Sequence, residues 1–430
     1  MTGSFFLETY GCSLNKADSD LIVGRLTKLG MSKVSTINQA NVIIVNTCGV
    51  KEPTEDRIIH RLEELAKGDL PIVVAGCLPR ISLTRVERAI PEYAALLGPQ
   101  SIETLGEVTQ RVLAGERGIV HLDSDAGSKL QFYRGPPDSV ICTVPICEGC
   151  LGDCTYCAVR FARGQVQSFS INEIHGVVER CVHLGYLEIR LTSQDAGVFG
   201  HDTGESLVAL LKSVNSIEGM HRFRLGMFNP NLVTDYLEGM IEEMSSDNFF
   251  QFFHIPLQSG SDRVLQKMGR RYTVNEWCKI VERIREKLPK CTISTDIIVG
   301  FPGETDEDFQ ATIDVIDHVK PGVVNISKYG DRPRTVASRS KEKVHTNTKK
   351  AWSRRLSKLV SGISKEENES WIGWVGTAIV TDYGPKGGVV GRNFAYKPII
   401  VNDDIQPGDI VNVEIVTGER THLIGQVCRE

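Results

Sequence analysis

Apolar and polar positions follow one rhythm over most of this chain and a different one at its end. In the first third, apolar runs at 4–10, 42–46 and 72–75 alternate with helically spaced stretches at 17–29, 52–66 and 83–89. Short apolar runs bounded by turn residues read as buried strands, and their alternation with helices predicts a parallel sheet covered by helices, of flavodoxin-like type. The rhythm returns more regularly from about 136 to 330. Strands are predicted at 140–145, 187–192, 221–225, 249–255, 292–299 and 322–326, and helices at 171–184, 206–214, 231–244, 261–268, 274–287 and 306–319. Six such units predict a partial or full barrel of parallel strands, with function at their carboxyl edge. A basic helical connector follows at 341–368. From Trp371 onward, Val, Ile and Thr alternate between Gly-rich turns such as Gly384-Pro-Lys-Gly-Gly, which predicts a small five-stranded barrel of a kind that often binds nucleic acid. Three domains are therefore expected, at 1–130, 136–368 and 369–430.

Composition changes this picture in three respects. No apolar run approaches the roughly 18 residues that span a bilayer, and the N-terminus has neither a basic region nor a long apolar one, so a cytoplasmic protein without a membrane partner is expected. Twelve cysteines in such a chain are better read as ligands or buried hydrophobes than as disulfides. The net charge of −5 gives no sign of a nucleic-acid partner, but residues 320–360 hold twelve Lys and Arg against two acids, a local excess of +10 that attracts phosphate. The plainer reading of that stretch is a solvated helix face.

The cysteines carry the chemistry. Cys150, Cys154 and Cys157 stand in one loop, Cys150-Leu-Gly-Asp-Cys154-Thr-Tyr-Cys157, directly after the first predicted barrel strand. A four-iron cube held by three thiolates leaves one iron open to a small molecule. Cys147 lies three residues upstream, but the four together are too closely spaced for two zinc knuckles, and no proline follows Cys157 as in a ferredoxin run. Cys12, Cys48 and Cys77 each stand just past the carboxyl end of a predicted strand, the edge at which open α/β sheets bind ligands. Their shared placement favours one ligand site over three separate burials. Cys142, Cys181, Cys278, Cys291 and Cys428 read as small buried hydrophobes.

The three-cysteine loop, with Tyr156 before its last cysteine, resembles the radical S-adenosylmethionine (SAM) superfamily. Gly11-Cys12-Ser-Leu-Asn-Lys-Ala-Asp-Ser-Asp, Val45-Asn-Thr-Cys48, Ala75-Gly-Cys77, Phe253-His-Ile-Pro-Leu-Gln-Ser-Gly-Ser-Asp, Met268-Gly-Arg-Arg-Tyr and Thr295-Asp-Ile-Ile-Val-Gly-Phe-Pro-Gly-Glu-Thr are similar to the methylthiotransferase family in the order that family uses. Lys386-Gly-Gly-Val-Val-Gly-Arg-Asn-Phe-Ala-Tyr resembles the RNA-binding TRAM barrel. Phe161-Ala-Arg-Gly, Leu191-Thr-Ser-Gln-Asp-Ala-Gly and Asp331-Arg-Pro-Arg-Thr-Val-Ala-Ser-Arg resemble the archaeal and eukaryotic branch acting on N6-threonylcarbamoyladenosine next to the tRNA anticodon, without the C-terminal membrane anchor of some members.

The resemblance implies two 4Fe-4S clusters and SAM as cofactors. Cys150, Cys154 and Cys157 would hold the radical-generating cluster; Cys12, Cys48 and Cys77 would hold an auxiliary cluster that carries the sulfur. The implied reaction replaces hydrogen at C2 of the adenine by a methylthio group. It needs tRNA, an electron donor such as ferredoxin or flavodoxin, and a sulfur source. Tyr156, Ser193, Gln194, Asn229 and Gln258 are SAM or substrate candidates, each equally readable as a polar residue closing a strand. His254 reads as a structural hydrogen bond, and Arg163 as a phosphate or SAM-carboxylate contact or a surface ion pair. RNA candidates are Arg332, Arg334, Arg354 and Arg355 in the connector and Lys386, Arg392 and Lys397 in the tail. Competing functions are methylthiolation of N6-isopentenyladenosine or of a ribosomal-protein aspartate, and a non-catalytic iron–sulfur electron carrier or RNA-binding module.

Overall fold

The computed structural model describes residues 3–123 and 129–428. Its first third is a six-stranded, wholly parallel sheet of β1 (Ser4–Thr9), β2 (Ser32–Lys33), β3 (Val42–Thr47), β4 (Ile72–Gly76), β5 (Ala95–Leu97) and β6 (Ile119–His121), in the order β2-β1-β3-β4-β5-β6. This is the doubly wound flavodoxin order with one strand added, and its topological switch lies between β1 and β3. Strand β3 is buried on both faces: Val42 and Ile44 join the core that holds Leu21 and Leu26, while Ile43 and Val45 pack with Ile58 and Leu62 on the other side. Strands β2, β5 and β6 and the helix Ile102–Leu113 were not expected from the sequence; strands of two or three residues carry too few positions to show a period. The first helix, Ser13–Lys28, begins earlier than its apolar spacing indicates, directly behind Cys12.

The middle of the chain supplies β7 (Ile141–Pro145), a short hairpin of β8 (Cys147–Glu148) with β9 (Gln167–Ser168), then β10 (Glu188–Thr192), β11 (Arg222–Leu225), β12 (Phe252–His254), β13 (Thr292–Val299) and β14 (Val323–Lys328). Two parallel sheets, β7-β10-β11 and β12-β13-β14, join where Phe223 bridges Phe249 and the Phe250 amide donates to the Phe223 carbonyl at 2.8 Å. Among the described residues β7 and β14 do not pair, so the six strands form an open, partial barrel. Both of its edges are covered, as exposed strand edges must be: the helix Ser13–Lys28 lies against β7 and the helix Thr346–Glu369 against β14. Reciprocal caps at Ser170/Glu173, Thr273/Glu276 and Thr305/Asp308 start three of the barrel's helices. The stretch expected as one helix over 231–244 is broken into Pro230–Val233, a tighter turn at Thr234–Tyr236, and Leu237–Met244.

Strands β15 (Val375–Tyr383), β16 (Val389–Arg392), β17 (Pro398–Val401), β18 (Ile410–Gly418) and β19 (Leu423–Val427) close into a five-stranded barrel. Its 393–397 loop docks beneath the central barrel. There Gln251 N donates to Phe394 O at 2.7 Å, and the Tyr396 ring lies 4.8 Å from Phe250 and 5.2 Å from Phe252.

Candidate functional site

The doubly wound order places the loops after β1 and β3 side by side, and Cys12 and Cys48 occupy them. Gly11, at φ +112°, turns the chain so closely over Cys48 that an added Cβ would stand 2.3 Å from Cys48 Cβ and 2.7 Å from its Sγ. Cys77 follows β4, and its thiol faces Asn15 Oδ1 at 3.9 Å. Asn15 fixes the neighbourhood by donating to the Tyr10 carbonyl at 3.0 Å and the Thr47 carbonyl at 2.7 Å. The Cys48 hydrogen bond, against the effect of burial, pulls Cys12 down to about 6, while Cys48 moves up through the same bond and through burial. Cys12 also stands at the N-terminus of the helix Ser13–Lys28, where the helix dipole favours a thiolate.

The second trio hangs from the carboxyl end of β7. Gly152 allows its loop to fold back: the Gly152 amide donates to Cys150 Sγ at 3.2 Å, and a Cβ there would meet Cys150 Sγ at 3.3 Å and Cys154 Sγ at 3.6 Å. Burial pushes the Cys150 thiol up to about 12 and raises Cys157 as well, so these thiols would release protons on taking up metal. Among the described residues no three Cys, His, Asp or Glu side chains gather tightly enough for a single metal ion. Two sets of three soft thiols on Gly-permitted turns fit a larger iron–sulfur group better than a lone zinc. Cys147 is fully buried, with its thiol 3.8 Å from the Asp195 carbonyl.

The segments that carry the two trios meet at the seam between the sheet and the barrel. Cys77 and Ile81 pack directly on Ala158 and Ala162, which follow Cys157. Arg163 lies in this seam and is neither a surface ion pair nor open to a phosphate. It is 2% exposed and bound to Glu148 at 2.6 Å, to Asp18, and to Asn15 Oδ1 at 3.1 Å.

The SAM candidates occupy the carboxyl edge as expected. Ser193 and Gln194 follow β10, Asn229 follows β11 and Gln258 follows β12. Ser193 Oγ, Gln194 Oε1 and Gln258 Oε1 are buried without hydrogen-bond partners, the condition of groups shaped for a polar ligand. Gln258 is held at φ +70° by Gln258 N to Asp296 O at 2.7 Å and Ile298 N to Gln258 O at 3.0 Å, a strained non-glycine backbone of the kind found at ligand sites. Tyr156 is half-buried, edge-on to Phe301 at 6.2 Å. Asn229 is already engaged: its amide groups donate to the fully buried Asp195, and its Oδ1 accepts from Arg270. Arg270 in turn donates to Cys154 Sγ at 3.1 Å and to Tyr272 Oη at 3.0 Å. Cys154, Asp195, Asn229 and Arg270 line a cavity of ≈ 210 Å³ beside the cysteine loop. Sequence reasoning gave no role to Asp195 or Arg270, although both lie inside the phrases that carried the resemblance. His254 makes the structural bond expected of it, Nε2 to Asp296 Oδ2 at 2.9 Å.

The RNA candidates divide by exposure. Arg354, Arg355 and Lys386 are exposed. Arg334 is exposed and lies over the Phe161 ring at 4.5 Å, which puts it at the cysteine loop rather than on the connector face. Arg392 is half-buried over Tyr396 at 4.5 Å. Two are corrections. Arg332 is buried and bridges Gly49 O at 2.8 Å and Glu55, and Lys397 is buried against Glu367 at 2.7 Å and Asn368 at 3.2 Å. Both hold domains together and cannot reach RNA. Among the lone cysteines, Cys142, Cys181 and Cys291 are buried, Cys278 is half-buried, and Cys428 is exposed, contrary to expectation. Among the described residues no helix is long and apolar enough to cross a membrane.

Residues 144–316 match the radical SAM superfamily, and residues 4–98 match the family described as "Uncharacterized protein family UPF0004". The chain is 38% identical over 98% of its length to a probable threonylcarbamoyladenosine tRNA methylthiotransferase of Pyrococcus abyssi, covering 99% of it. It is 31% identical over 98% of its length to the human threonylcarbamoyladenosine tRNA methylthiotransferase, covering 73% of that protein. It is also 31% identical over 99% of its length to a tRNA-2-methylthio-N(6)-dimethylallyladenosine synthase of Dictyoglomus thermophilum, covering 99% of it. Among solved structures it resembles in fold the radical SAM methyltransferase TsrM of Kitasatospora setae, with TM-score 0.60, 14% identity, and coverage of 78% of this chain and 75% of that one. Matched over nearly its whole length by relatives of that name, the chain belongs to the threonylcarbamoyladenosine tRNA methylthiotransferase family.

Proposed function

We propose that this chain is a radical SAM enzyme that inserts a methylthio group at C2 of N6-threonylcarbamoyladenosine, next to the anticodon of tRNA. The observation that carries the proposal is the packing of Cys77 and Ile81 on Ala158 and Ala162, directly behind Cys157, which brings the segments of the two trios to one seam, since the reaction needs C–H activation and sulfur delivery at the same carbon. Cys150, Cys154 and Cys157 would hold one 4Fe-4S cluster with SAM, and Cys12, Cys48 and Cys77 the other. When bound, these groups supply the one-electron chemistry that breaks an aromatic C–H bond and the sulfur that replaces the hydrogen.

The chain's own residues position and shield. Asp195 fixes Asn229, and Asn229 with Arg270 fixes the Cys154 side of the loop. Ser193, Gln194 and Gln258 offer buried, unpartnered oxygens to SAM at the strand ends. Arg270 places a half-buried positive charge on the thiolate side of the cavity, favouring anionic ligands there. Arg334, Arg354, Arg355 and Lys386 remain the exposed cations for the tRNA backbone. A low-potential electron donor and a sulfur source are required partners.

Two assays test this. Anaerobically reconstituted protein with SAM and dithionite should release 5′-deoxyadenosine; no release would reduce the chain to an electron carrier or RNA-binding module. Mass spectrometry of tRNA digests with and without the protein should show 2-methylthio-N6-threonylcarbamoyladenosine. Loss of a 2-methylthio derivative of isopentenyladenosine instead, or no change in tRNA, would move the substrate to that base or to a ribosomal protein.

A further inference from the structure

The seam between the two thiol trios holds buried charge beside its apolar contacts. Lys129, Arg163, Asp18 and Glu148 are each 1–2% exposed and form a closed tetrad of two cations and two anions. Asp18 comes from the helix that starts at Cys12, Glu148 lies two residues before Cys150, and Arg163 lies six residues after Cys157. A neutral buried tetrad does not stabilise the fold better than apolar residues of the same shape would. Its placement therefore calls for another reason.

Arg163 differs from its partner cation. Its Nη1 serves Glu148 and its Nη2 serves Asp18 and Asn15, but its Nε is buried with no acceptor. The side chain meets Cys77 through Asn15 Oδ1, which accepts from Arg163 Nη2 at 3.1 Å and from the Cys77 thiol at 3.9 Å. A buried charged donor without an acceptor, next to the thiols of one trio and six residues from the other, is suited to an anionic sulfur group.

We propose that Arg163 is a positioning residue that locks the two cysteine loops in register and sets the reduction potential of the group held by Cys12, Cys48 and Cys77. The inference rests on the two-cluster reading. Hydrogen bonds and positive charge at cluster sulfurs stabilise the reduced, more negative state and so raise the potential. Asp18, on the other side of the guanidinium, acts in the opposite sense.

The test uses the full-length chain with Cys150, Cys154 and Cys157 replaced by alanine, so that only one cluster is loaded, and a redox titration followed by electron paramagnetic resonance. Arg163→Gln should shift the midpoint to a more negative value, Asp18→Asn to a more positive one, and Lys129→Met by less than Arg163→Gln. Midpoints that do not move, that move in the same direction for Arg163→Gln and Asp18→Asn, or that move equally for both cations would overturn the inference. Should Arg163→Gln fail to fold, the sign of the Asp18→Asn shift decides. A reference protein that binds no cluster would instead refute the two-cluster reading itself.

Discussion

Arg332 offers the cleanest separation between a residue that holds this protein together and one that holds RNA. Its guanidinium reaches from the segment after β14 to the first domain, with Nη2 on the Gly49 carbonyl at 2.8 Å and on Glu55, whose side chain is 1% exposed. Removing one partner of a buried pair costs about 3–5 kcal/mol because the other charge is stranded. Here Glu55 keeps Arg85 at 2.7 Å, on the more exposed side, so the stranding is partial and about 2 kcal/mol is the better figure. The lost bond to Gly49 adds about 1 kcal/mol. Arg332→Met should therefore destabilise by about 3 kcal/mol, which for a unit of 150–250 residues lowers Tm by about 6–12 °C. The assay pairs thermal unfolding with tRNA binding across a salt series. A residue that neutralises a phosphate reduces the slope of log K against log salt by about 1 when removed. Arg332→Met should leave that slope unchanged well below its Tm. A slope reduced by one with an unmoved Tm would show that the guanidinium faces RNA and that the buried bridge is wrong.

Four further outcomes follow from the same geometry. Lys386→Ala, at an exposed tip of the terminal barrel, should reduce the salt slope by about 1 without changing Tm, and an unchanged slope would remove it from the RNA surface. Arg270→Met strips Cys154 and Asn229 of a shared donor, and loss of such an outer partner weakens metal holding by about 10–100-fold; iron retained after challenge with a chelator measures it, and wild-type retention would refute it. Gly11→Ala drives a Cβ to 2.3 Å from Cys48 Cβ at a φ of +112°, so the first trio should lose its iron and the methylthio product while SAM cleavage persists; full iron content would contradict the crowding. Glu304 is held up to about 7 by burial, although the Gly300 and Phe301 amides pull the other way. Its folded pKa lies above the unfolded value of 4.5, so stability falls as pH rises from about 4.5 to about 7. Glu304→Gln should flatten that fall in denaturant titrations at pH 5 and pH 8, and an unaltered difference would count against a protonated Glu304.

The strand-bound thiols were legible because their signals are local. Cys12, Cys48 and Cys77 each follow an apolar run, and a run's carboxyl end is a position that sequence marks directly. The doubly wound order then does the rest, bringing Cys12 and Cys48 together at the β1/β3 switch although 36 residues separate them. Arg332 and Lys397 were misread for the complementary reason. A basic residue in a basic stretch looks solvated, and only the partner tells otherwise; Glu55 lies 277 residues from Arg332. Asp195 and Arg270 were invisible as a pair for the same reason, since their link through Asn229 exists only once two strand ends meet the turn after the helix Asp262–Lys267.

The seam therefore concentrates the information that no single segment carries. Apolar periodicity builds each domain, and one apolar core continues from Leu21 and Leu26 of the first domain to Val144 of the barrel. Charged side chains removed from water add to that meeting: Asp18 with Arg163 across 145 residues and Glu55 with Arg332 across 277. Ion pairs of this kind add little to net stability, but a mismatched partner leaves a buried charge exposed to its full desolvation cost. They act as a register device rather than as glue. For two thiol sites that must serve one carbon atom, register is the property that matters. Added to the apolar packing, paired buried charges penalise any alignment that would strand one of them.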